Sequence, residues 1–109
     1  MEIRDDEKFC IIAPICDELN GRRIGKIVNE IQKETRKVAI DLNYVHNCSA
    51  EFIEALNSIK KDIGIFNIPS DIFVLFNVMD IDKKIKLFVS EIDFKENSRQ
   101  LINRKFAVI

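Results

Sequence analysis

The chain has little of what punctuates, cross-links or anchors a polypeptide: its 109 residues include 3 Gly, 2 Pro, 3 Cys, one His and no Trp. So few chain breakers, beside 47% hydrophobic and 32% charged residues, exclude a disordered or collagen-like chain and leave enough apolar material for a core. Gly21, Gly25 and Gly64 never fall at the spacing of a phosphate-cradling loop, which excludes the common nucleotide-binding fingerprints. An odd number of Cys, at positions 10, 16 and 48, matches neither a disulfide framework nor paired metal ligands and predicts reduced thiols. Charge of one sign is also missing. With 17 Lys and Arg against 18 Asp and Glu the net charge is -1, so no bulk electrostatic ground for a nucleic-acid partner exists. The longest apolar run, 9–16, is too short to cross a bilayer, and the first eight residues are charged and mostly acidic where a signal peptide is basic and apolar. A single cytoplasmic domain over 1–109, with a charged segment at 1–8 and no membrane insertion, is expected.

What is present is alternation of two hydrophobic periods. Phe9 to Ala13 reads as a buried strand stopped by Pro14, followed by a loop. Asn20 is placed to cap a helix whose inner stripe is Ile24, Ile27, Val28 and Ile31 and which ends near residues 34–36. Lys37 to Leu42 reads as a strand with Val38, Ile40 and Leu42 on one face and Ala39 and Asp41 on the other. Residues 43–47 read as a loop. Ser49 is a natural N-cap for a second helix with Phe52, Ile53, Leu56 and Ile59 inward and Lys60 and Lys61 at its cation-favouring end. Ile63 to Ile68 is a third strand, and Ile72 to Met79 a third helix entered through Pro69, Ser70 and Asp71. Ile85 to Val89 is a fourth strand, and Ser90 with Asp93 opens a last helix carrying Phe94, Leu101 and Ile102, before an apolar tail at 106–109 that is expected to pack. This order predicts an α/β domain: four or five strands in a mostly parallel or mixed sheet, covered by about four helices.

Two constellations carry possible chemistry. His46 and Cys48 follow one strand and Cys16 follows another, so a thiol-dependent or metal-dependent enzyme using these three residues is one reading. Its competitor is a set of ordinary loop and half-buried residues. Asp17 and Asp41 also lie near strand ends, where a carboxylate pair would suit acid–base work, and where turn and strand-edge aspartates are equally at home. The basic pairs at 22–23, 60–61, 83–84 and 104–105 are scattered among acids and read as solvated faces.

The stretch from Lys37 to Leu56 resembles the signature of STAS domains, the family of anti-sigma-factor antagonists and sulfate-transporter tails. That signature is an apolar strand ending Asp-Leu-Ser, a short loop with an apolar residue, then Asp-Ser-Ser-Gly-Leu opening a helix. Asp41, Leu42, Asn43 and Val45 align with it without gaps. Upstream, Pro14, Cys16, Asp17, Asn20, Gly21 and Ile24 fall on the spacing of the family's Gly-x-Leu-Asp-x-x-Thr-Ala-x-x-Leu pattern, so the resemblance reaches nearly to the last helix. The departure is at the phosphoswitch. Ungapped, the family's Asp-Ser-Ser-Gly falls on Ser49, Ala50, Glu51 and Phe52, which puts Ala50 at the phosphorylated position. A two-residue shift would bring Ser49 toward that role and would set Glu51 where the helix needs an apolar Leu.

The resemblance implies a non-catalytic protein–protein interaction module of signal transduction and transcription regulation, without cofactor or metal. Its contact surface would be the loop Asn43, Val45, His46, Asn47 and Cys48 with the helix start Ser49, Ala50, Glu51 and Phe52. The partners it implies are an anti-sigma-factor kinase, a stress-signalling scaffold or the ATPase of a lipid-transport complex, engaged by a monomer or weak homodimer. Phosphorylation of Ser49 is disfavoured if its hydroxyl caps the helix, and Phe52 is expected either to turn inward or to serve as a binding anchor.

Overall fold

The computed structural model describes residues 1–101 of the chain. Eight strands and four helices follow one another as β1 (Glu2–Asp5), β2 (Phe9–Ala13), β3 (Cys16–Leu19), α1 (Gly21–Lys33), β4 (Lys37–Asp41), β5 (Val45–Cys48), α2 (Ala50–Ser58), β6 (Ile63–Phe66), α3 (Ser70–Val78), β7 (Ile85–Phe88), α4 (Glu91–Glu96) and β8 (Gln100–Leu101). Six of the strands form a mixed sheet in the order β1-β2-β4-β6-β7-β8, whose four inner strands are parallel and whose two edge strands are antiparallel. The α/β class and the four helices agree with the sequence reading.

Each successive parallel strand is added on the same side of the last, so crossovers of one hand set α1, α2 and α3 on one face, here the front. There Ile24, Ile27 and Ile31 of α1, Phe52, Ile53 and Leu56 of α2, and Ile72 and Phe76 of α3 meet Ile12, Val38, Ile40, Ile65 and Leu87 of the sheet. On the back, Ile11, Ala39, Phe66 and Phe88 are covered by Phe94 of the short α4. The alternation read in 38–42 is therefore realised: Val38, Ile40 and Leu42 pack forward and Ala39 backward. Gly64 is where the back layer comes closest, since a Cβ there would lie 2.4 Å from Cδ1 of Phe94.

Several expectations are corrected. The charged N-terminal segment supplies an edge strand, β1, held by antiparallel pairing with β2. Residues 16–19 and 45–48, read as loops, are short strands that pair with each other in parallel. Leu101 belongs to a strand beside β7, because α4 ends at Asn97 in a left-handed cap with φ 54°. Asn20 occupies the N-cap of α1 without a side-chain capping bond; the chain turns at Gly21, whose φ of +49° favours a residue with no Cβ. Lys61 does not serve the end of α2: its ammonium donates to the carbonyls of Ile31, Gln32 and Glu34 and closes the C-terminus of α1 instead. The expectations for Ile102 and the tail at 106–109 lie outside the described residues.

Candidate functional site

β3 and β5 are continuations of β2 and β4. Ile12 faces Ile40 in the main sheet, and beyond Pro14 the same two stretches pair again with Cys16 facing Val45, Glu18 facing Asn47 and Leu19 facing Cys48. The β4–β5 side therefore carries one extra residue, taken up in the turn where the N–H of Val45 donates to the carbonyl of Leu42 at 3.1 Å. Pro14, lacking an N–H, separates the two ladders. This ribbon leads directly into α2: the N–H of Ser49 donates to the carbonyl of Leu19 at 3.2 Å, so β3 fixes the point where the helix begins.

The residues singled out from sequence divide by side. Val45, Cys48 and Phe52 are 2%, 5% and 1% exposed and belong to the front core, which corrects their place on a contact surface and decides Phe52 for the inward position. Asn43, His46, Asn47, Ala50 and Glu51 are exposed, as are Asp17 and Glu18 on the neighbouring strand. His46 Nδ1 and Asp17 Oδ1 lie 3.2 Å apart at the surface, a pair that water and salt screen. The Asn47 side chain accepts from the N–H of Cys48 at 2.9 Å and stiffens the ribbon's end.

Ser49 stands at the N-cap of α2 with extended backbone, yet its hydroxyl makes no capping bond and is buried without a hydrogen-bond partner. The expected protection of this hydroxyl by helix capping is thus corrected; what shields it is burial. Glu51 lies in the first turn, where a carboxylate complements the helix dipole.

The enzyme constellation is not assembled. Cys16 and Cys48 sit at opposite ends of the β3–β5 pairing, His46 turns to Asp17, and no three His, Cys, Asp or Glu residues among those described are grouped to hold a metal ion. Burial pushes the Cys48 thiol up to about 11, and Cys16 is also raised, so neither is poised as a thiolate. Asp17 and Asp41 do not form a pair. Asp41 is buried on the back of the sheet, where it accepts from Arg4 at 3.0 Å, from Asn67 at 3.1 Å and from the N–H of Asn43 at 2.9 Å. Through the last bond Asp41 sets the start of the Asn43 to Cys48 segment, a positioning role that its strand-end place hinted at and its sequence neighbours did not. No helix among the described residues is long and apolar enough to span a membrane. The chain matches no family model, and no curated protein is significantly similar to it.

Proposed function

We propose that this protein is a non-catalytic interaction module of the anti-sigma-factor-antagonist type, which meets a protein partner through the outer side of the β3–β5 ribbon and the first turn of α2. One observation carries the reading. The two segments that bear the STAS resemblance, 14–24 and 37–56, lie far apart in the chain and pair in register into a single surface. Its exposed groups are Asp17, Glu18, His46, Asn47, Ala50 and Glu51, so a partner would answer them with basic and hydrogen-bonding side chains. Ala50 is exposed at the first position of the helix and has no hydroxyl, so control by phosphorylation at that position is lost.

The test is a calorimetric titration with a purified anti-sigma-factor kinase from the source organism. Glu51→Lys should weaken binding by ~10-fold or more, whereas Lys95→Glu on the back face should leave it unchanged. With ATP present, the intact mass of the protein should stay constant. Equal affinity of the Glu51 variant and the parent, or a phosphate appearing on Ser49, would overturn the assignment of surface and switch.

A further inference from the structure

We infer that the hollow at the N-terminal ends of β4, β6 and β7, on the back of the sheet, is a binding site for an organic anion of one-ring size, an aromatic carboxylate or phosphate. It lies on the opposite face and at the opposite end of the sheet from the surface proposed above, and it goes beyond that reading. The hollow has a volume of about 150 Å³. A cavity of that size accommodates a single benzene-like ring. Its apolar lining includes the edges of Phe88 and Phe94, each 3% exposed, and Gly64, which has no side chain, lies beside them in the wall.

The rim is cationic. Lys37, Lys84 and Lys86 line the hollow together with Asp62, an excess of positive charge. Along the sequence Lys37 is remote from Lys84 and Lys86; strand pairing gathers them, since Lys37 opens β4 and Lys86 faces Gly64 across β6 and β7. Lys37 and Lys86 lie on inner strands of the sheet, where a lysine does not serve to blunt an edge. Two other cations on this face are paired, Arg4 with Asp41 and Glu91 and Lys95 with Glu91. The ammonium groups of Lys37, Lys84 and Lys86 make no ion pair or hydrogen bond among the described residues. Unpaired ammonium groups converging on an aromatic-lined hollow suit a ligand with a flat apolar body and an anionic head. The ring would be buried against Phe88 and Phe94, and the head would take hydrogen bonds from the lysines.

The experiment follows the backbone amide spectrum of the ¹⁵N-labelled full chain during titration with phenyl phosphate, benzoate, inorganic phosphate and benzyl alcohol. Phenyl phosphate or benzoate should shift the amides of Gly64, Lys86 and Asn97 saturably, and the tighter of the two identifies the preferred head group. Inorganic phosphate, which lacks the ring, and benzyl alcohol, which lacks the charge, should each bind ~10-fold or more weakly. The double variant Lys37→Gln, Lys86→Gln should lower affinity for the aromatic anion by a similar factor with the rest of the spectrum unchanged. The proposal is overturned if neither aromatic anion saturates these shifts by about 10 mM, if inorganic phosphate binds as well as phenyl phosphate, or if the double variant binds like the parent.

Discussion

Val38, Ile40 and Leu42 project from the front of the sheet into three helices, while Ala39 and Asp41, their alternates, project backward toward a six-residue helix and Arg4. The front is closed by quantity: aliphatic side chains of α1, α2 and α3, with the rings of Phe52 and Phe76, pack on those of four parallel strands. The back is closed by particular fits. Phe94 lies over Gly64, stacks on Phe66 with ring centroids 6.1 Å apart and meets Phe9 and Phe88 edge-on. Asp93 in turn fastens α4 to the chain on both sides of it. The front, which buries many more apolar side chains, therefore carries the larger share of the stability, and the back holds α4 in place through a few contacts. The same economy leaves the lower end of the back open as the lysine-rimmed hollow.

The largest expected effect tests how much each layer carries. Phe52→Ala removes a ring that is 1% exposed and enclosed between the ribbon and the helices, and should cost about 3–5 kcal/mol in urea unfolding. Phe94→Ala removes an equally large ring beside a hollow that opens to water, and should cost less, at the lower end of about 3–5 kcal/mol. A Phe94 variant as unstable as the Phe52 variant would break the contrast, because it would make the back layer as weight-bearing as the front.

Gly64→Ala sharpens the comparison from the sheet side. The added methyl would approach Phe94 Cδ1 to 2.4 Å and Cε1 to 2.7 Å, and a stiff ring cannot yield by the necessary distance without moving α4. The expected cost is about 1–3 kcal/mol. Amide exchange should rise in α4 and remain as in the parent protein in α1 and α2. Uniform loosening of both layers would mean that the sheet transmits the strain and that the faces are not independent.

The contrast between the faces also separates what the sequence makes legible from what it hides. The front follows from periodicity: Ile24, Ile27 and Ile31 repeat at helical spacing, Val38, Ile40 and Leu42 at strand spacing, and all six are buried on that face. β1 is obscure because an edge strand needs only one covered side, and Ile3 is its single apolar residue. β3 and β5 are four residues each with polar centres, Asp17 and Glu18 in one, His46 and Asn47 in the other, so no alternation distinguishes them from loops. Their pairing depends on the parallel register of β2 and β4, which local sequence does not encode. At the site, the position of Ser49 before a helix is readable from its residue type, but the direction of its hydroxyl depends on neighbours contributed by other segments. The gathering of Lys37 with Lys84 and Lys86 is a consequence of strand order.

The smallest effect concerns acid. Asp93 is buried at the first turn of α4, where its carboxylate accepts from Arg99 Nε at 2.7 Å and from the Ser90 hydroxyl at 2.7 Å, while its own N–H donates to Ser90 Oγ at 3.4 Å. The Arg99 bond, and after it the Ser90 bond, holds this carboxyl below the ordinary aspartate value. A group whose value is lower in the folded than in the unfolded chain contributes stability at all pH above the unfolded value, and that contribution is lost as pH falls through the folded one. The amide and ring signals of α4 should therefore change as pH drops below about 4. Glu34, at the end of α1, is also held down, to about 2, by Arg36, so acid acts on both faces. Asp93→Asn isolates the back-face effect, because the amide keeps the shape and loses the titration. In that variant α4 should be loosened already at neutral pH and should respond less to acid between about pH 4 and pH 2 than it does in the parent, the remainder coming from the Glu91 ion pairs with Arg4 and Lys95. If instead α4 in the variant responds to acid as it does in the parent, Asp93 is not what fastens this helix, and the back layer rests on the fit of Phe94 to Gly64.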